Sequence, residues 1–133
     1  MISVKPSTTY RMNSKQQQAK EFRSAFRVSN TKAATNTQRT LIVEEFKEFL
    51  EAETLVNRDH PIYREETLKE LADLVYVCYQ YAENLNWDLD EALDRVHRSN
   101  MSKLDADGNP IYRADGKVLK GPNYQPPNLS DLV

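Results

Sequence analysis

Five acidic residues in two short stretches have the types and spacing for metal chemistry. Glu44, Glu45 and Glu48 lie in LIVEEFKEFL, and Glu70 and Asp73 lie in ETLKELADLVYV. Both stretches read as helix, where residues three and four apart share a face. Glu45 therefore falls between Leu41, Ile42 and Phe49, inside an apolar stripe. Glu70 is stacked against Leu74 and Val77, and Asp73 against Val77. Two such helices packed antiparallel would bring four or five carboxylates into one half-buried pocket. Like charges at that density raise their own pKa values and destabilise the fold unless a cation sits among them. Oxygen-only ligands, with no cysteine or paired histidine, point to Mg²⁺ or Mn²⁺ rather than zinc or copper.

The elements that must position these acids follow from periodicity. Residues 1–13 have none and are expected to be an extended lead-in. Ala19, Phe22, Ala25 and Phe26 recur at helical spacing, with Asn13 or Ser14 as N-cap, which predicts a first helix over 14–27. SNTKAATNT reads as a loop, because its residues compete with helix by bonding to their own backbone. A second helix is predicted over 37–57, with Leu41, Ile42, Phe46, Phe49 and Leu50 on its core side. NRDHP ends it, and Pro61 suits the restart. The third helix runs from Tyr63 or Arg64 to Asn86, and its middle, LVYVCYQYA, is apolar or aromatic nearly all round. A surface helix of a small monomer is not built that way. Its second side calls for cover by a fourth helix, by another copy of the chain, or by both. That fourth helix is capped by Asp88 or Asp90, carries Leu89, Ala92, Leu93, Val96 and Met101 on one face, and extends to Lys103. Beyond it, PIYR, ADG and KVLK predict a β-hairpin turning at Asp115-Gly116, followed by an extended tail, GPNYQPPNLSDLV. The expectation is an all-α protein: a four-helix subunit of an oligomeric bundle, with a short C-terminal hairpin and tail. It is read as one domain over 1–133, with a helical core over 14–103.

Length and composition agree with one domain: 133 residues, 15.4 kDa and a modest 39% of apolar and aromatic residues. The lone cysteine, Cys78, excludes an intrachain disulfide and suits a reducing, cytoplasmic setting. No stretch approaches the roughly 18 apolar residues of a membrane span, and MISVKPSTTYRMN lacks the apolar core of a signal peptide. The net charge of −2 hides a strong polarity. Residues 1–43 hold eight Lys and Arg against one acid, 44–94 hold four against fifteen, and 95–133 hold six against four. An acidic middle between basic ends suits a protein that holds a metal centrally and gathers cations around a polyanion bound to it. Glu51, Glu53, Glu65, Glu66 and Glu83 are read as solvated helix surface. No stable nucleic-acid binding is expected.

Other patterns carry less. Asp94-Arg95-Val96-His97 has the form of half a di-iron motif, but that chemistry needs a second copy on another helix. Asp105-Ala106-Asp107-Gly108 lacks the closing acids of a calcium loop and is read as a turn. Three glycines in all leave no phosphate-cradling loop, so metal and side chains must hold any phosphates. The available cations are Arg95, Arg98 and Lys103 on the fourth helix, then Arg113, Lys117 and Lys120. Lys103 stands out because Asn100 lies one turn before it on the same face.

With Glu-Glu-x-x-Glu at 44–48 and Glu-x-x-Asp at 70–73, the sequence resembles the all-α nucleoside triphosphate pyrophosphohydrolases of the MazG, dimeric dUTPase and phosphoribosyl-ATP pyrophosphohydrolase type. HRSNMSKLDADGNPIYRADGKVLKGPNYQPP is similar to the C-terminal signature of a MazG-like subgroup. The resemblance runs from about Glu21 to the end. It implies a tight dimer, or dimer of dimers, that uses Mg²⁺ to cut a nucleoside triphosphate between the α and β phosphates. By position it makes Glu45, Glu48, Glu70 and Asp73 metal ligands, and Glu44 the residue that orients or deprotonates the attacking water. Asn100 and Lys103 would hold the nucleotide, with Arg98, Lys120 and Tyr124 as further nucleotide or phosphate contacts. The alternatives are a phosphoribosyl-ATP pyrophosphohydrolase and a non-catalytic helical module with an acidic docking surface.

Overall fold

A computed structural model describes residues 14–55 and 61–133. The chain divides into two compact units, Met1–Trp87 and Asp88–Val133. The expected lead-in over 1–13, the end of the second helix at Asn57 and most of the NRDHP turn lie outside the described residues.

The first unit holds α1 (Lys15–Ala25), α2 (Lys32–Leu55) and α3 (Pro61–Asn84), with α3 packed against both of the others. Ser14 and Gln17 start α1 with a reciprocal capping box, in which each side chain accepts from the other's backbone N–H. Arg27, at φ 54°, ends it in the left-handed region. The helix α2 begins five residues before the expected Thr37. Thr31 Oγ1 accepts from Ala34 N at 3.1 Å, while the hydroxyls of Thr35, Thr37 and Thr40 donate to carbonyls four residues back. Once capped, hydroxyls that compete with helix in isolation bond along it instead. Pro61 occupies the first position of α3, where a missing N–H costs nothing. Asn86, at φ 58°, closes α3, with Trp87 N donating to Ala82 O.

Asn84 Nδ2 donates to Thr35 Oγ1 near one end of the α2–α3 pair, and Glu45 meets Glu70 and Asp73 further along, so the two helices run antiparallel. The α1–α3 contact has an edge-on Phe22–Tyr76 ring pair and a polar seam. Arg23 donates to Gln80 O and Oε1, to Ser29 O and to Asn30 Oδ1. Glu83 is buried, not solvated: it accepts from Gln16 Nε2 and from Lys20 Nζ at 2.9 Å. Glu51, Glu53, Glu65 and Glu66 are exposed as expected. Among the described residues the buried apolar set is only Ala19, Tyr79 and Ala82.

The second unit starts with α4 (Leu89–Met101), capped by Asp88 Oδ1, which accepts from Glu91 N. Asp105 Oδ1 accepts from the backbone N–H groups of Asp107 and Asn109, so this acidic stretch is a turn. The expected hairpin reduces to one antiparallel bridge, Tyr112 with Val118, around a tight turn with Gly116 at φ 88°. Asp115 spends its carboxylate on Arg113 and on Lys117 N within the turn, and no ladder forms beyond the bridge. The tail then returns along α4. Gly121 N donates to Lys103 O at 2.8 Å, and a Cβ there would sit 2.6 Å from two backbone oxygens, so the approach requires glycine. Ser99 Oγ donates to Gln125 O, Gln125 N donates to Ser102 Oγ, and Arg95 donates to Asn128 O and pairs with Asp131. The chain ends in a 3₁₀ turn, Ser130–Leu132.

Candidate metal centre

The α2–α3 pair brings Glu45, Glu70 and Asp73 together, with one carboxylate oxygen from each within 4.8 Å of the others. Helical spacing does this directly. Glu70 and Asp73 stand on one face of α3, and antiparallel packing lays that face over Glu45 on α2. Glu70 is buried, and Glu45 and Asp73 are half-buried. Burial holds the Glu45 carboxyl above the usual carboxylate range. The charge of Glu48 and a hydrogen bond to it push in the same direction, followed by the charges of Asp73 and Glu70. Glu45 Oε2 and Glu70 Oε2 are buried and have no hydrogen-bond partner. Such atoms cost free energy unless something binds them.

An oxygen-only donor set with two orphaned carboxylate oxygens fits a hard divalent cation. Glu45, Glu70 and Asp73 are the residues that would hold it. Glu48 stays exposed outside this three-residue cluster, against Glu45, and lines an open groove of about 380 Å³ with Glu70, Glu51, Glu66 and Tyr63. Glu44 is exposed. Sequence reading missed Lys69, whose Nζ lies 2.9 Å from Asp73 Oδ2 and 3.3 Å from Glu70 Oε1. The signal was present as a Lys–Asp pair at i, i+4.

The expected nucleotide contacts all belong to the second unit. Lys120 Nζ stands 4.8 Å from the centre of the Tyr124 ring. Arg98 is paired with Glu91 at 3.3 Å and lines a cavity of about 450 Å³ with Arg95, Ser99, Ser102 and Gln125. Lys103 is half-buried and Asn100 is exposed. Burial raises the pKa of the Cys78 thiol, which argues against a nucleophilic role.

Two antiparallel helices that pool Glu and Asp side chains, one set in Glu-Glu-x-x-Glu and one in Glu-x-x-Asp, place the chain among the MazG-like all-α pyrophosphohydrolases. The family model for phosphoribosyl-ATP pyrophosphohydrolase matches residues 11–100, and the chain belongs to that family. An uncharacterized protein of Acanthamoeba polyphaga mimivirus is 33% identical over 47% of this chain. The match spans 38% of that relative's length. Among the described residues no helix is long and apolar enough to cross a membrane.

Proposed function

We propose that the protein is a Mg²⁺-dependent pyrophosphohydrolase that converts nucleoside triphosphates to a monophosphate and pyrophosphate, clearing or adjusting a cytoplasmic nucleotide pool. The observation that carries this reading is the Glu45, Glu70 and Asp73 cluster with its two unpartnered buried oxygens. A divalent ion there supplies charge neutralisation on the phosphates and acidifies a water at neutral pH.

The chain's own residues divide the remaining work. Glu45, Glu70 and Asp73, with Glu48 beside them, would hold the ion between α2 and α3. Glu44, next to Glu45 and exposed to solvent, orients the attacking water and accepts its proton. Asn100, Lys103, Arg98, Lys120 and Tyr124 supply the donors, charge and ring that hold the nucleotide and the leaving pyrophosphate.

The active form in this reading is a dimer or a dimer of dimers. Val43, Phe46 and Leu50 form an exposed stripe on α2, and Leu68, Leu71 and Val75 form one on α3. The second stripe lines an apolar groove of about 380 Å³ against α1. Two exposed stripes with so few buried apolar residues among the described residues are what a second copy would cover.

A second reading, phosphoribosyl-ATP as the substrate, is favoured by the family model that matches residues 11–100. A panel of ribo- and deoxyribonucleoside triphosphates together with phosphoribosyl-ATP, assayed for pyrophosphate release with and without Mg²⁺, separates the two. Turnover of phosphoribosyl-ATP alone would replace the first reading by the second. No release from any of them would leave the acids as a docking surface.

A further inference from the structure

We propose that Lys69 is the resident cation of the acidic cluster: it neutralises Glu70 and Asp73 while no metal is bound, and a binding metal displaces it. The inference rests on the metal-site reading above and adds a competitor to it. Lys69 Nζ donates to Asp73 Oδ2 at 2.9 Å and to Glu70 Oε1 at 3.3 Å, so it touches two of the three residues that would hold an ion. A single ammonium answers the cluster only in part. It is a point charge with three donors, and it leaves Glu45 Oε2 and Glu70 Oε2 without partners. A divalent ion can take several carboxylate oxygens at once.

The lysine is also built to leave. Its side chain is 61% exposed, on a flexible stem, and ion pairs so open to solvent are weak enough to exchange. Two other basic residues of the same unit are committed elsewhere: Lys20 to Glu83, and Arg23 to Gln80 and the loop after α1. Lys47 lies between Glu45 and Glu48 in sequence, and among the described residues it has no ion pair with the cluster. Metal uptake is then an exchange of one cation for another. Glu70 and Asp73 then need never stand as bare like charges.

The test is calorimetric titration of chelator-treated protein with Mn²⁺ alone, comparing the parent with Lys69→Met and Lys47→Met. Removing the competitor should tighten Mn²⁺ binding by roughly three- to tenfold, the range two exposed ion pairs supply. Lys47→Met removes the same charge from the neighbouring helix and should have the smaller effect. Lys69→Met should also melt below the parent in metal-free buffer, and the gap should close at saturating Mn²⁺. Binding by Lys69→Met no tighter than by the parent or by Lys47→Met, or a melting gap that persists with Mn²⁺, overturns the exchange while the metal site stands. A parent that binds no Mn²⁺ overturns both.

Discussion

Glu45 on α2 and Glu70 on α3 meet across the antiparallel helix pair, each with one carboxylate oxygen buried and unpartnered. That relationship gives opposite signs to stability with and without metal. In chelated protein, Glu45→Gln keeps the side chain's size and removes one repelling charge, so it should be as stable as the parent or more so, by about 1 kcal/mol. With Mg²⁺ the order should reverse, because the parent alone gains the full binding energy. Urea unfolding under both conditions checks this. A variant that is destabilised in chelator and still stabilised by Mg²⁺ would make Glu45 a structural residue.

Glu83 should behave in the opposite way. It is buried and accepts from Gln16 and Lys20, so Glu83→Ala removes an acceptor that two donors share and is expected to cost about 2 kcal/mol. Glu83→Gln should cost less, since it still accepts. Equal losses in chelator and in Mg²⁺ would confirm a role separate from the metal centre.

The tail gives the pH dependence. A hydrogen bond from Arg95, with its charge, holds the Asp131 carboxyl below the ordinary value of 3.8. A depressed folded pKa contributes stability above the unfolded value and loses it as pH falls through the folded one. The protection of the Leu132 and Ser130 amides, taken as exchange relative to the intrinsic rate at the same pH, should therefore fall below about pH 4. Asp131→Asn should show low protection at these amides at every pH. A parent whose protection does not change between pH 6 and pH 3 would contradict the anchor.

The exposed stripes predict an oligomer. Light scattering should give at least twice the 15.4 kDa chain mass, and Phe46→Glu, which places a charge in the α2 stripe, should lower it. A parent that is monomeric at micromolar concentration would end this reading.

Much of this arrangement was legible because helical spacing is a strong signal. Glu45 amid Leu41, Ile42 and Phe49, and Glu70 beneath Leu74, announced acids on packed faces, and the structure joins them. The start of α2 was hidden because Thr35 and Thr37 have the residue type of a loop, and only their bonds back along the chain reveal a helix. Glu83 was misread because acid type was weighed above position. It stands four residues after buried Tyr79, in a run whose polar members Gln80 and Asn84 are buried too. The hairpin failed for a local reason, since Asp115-Gly116 sets a turn but does not lengthen the strands around it.

The most direct test of the central claim is ³¹P NMR of the products made from a nucleoside triphosphate by the parent and by Glu70→Gln, each with Mg²⁺ and with chelator. The account predicts monophosphate and pyrophosphate from the parent only when Mg²⁺ is present, and a rate at least about a hundredfold lower in the variant. Diphosphate and inorganic phosphate as products, or the same rate in chelator, would contradict it.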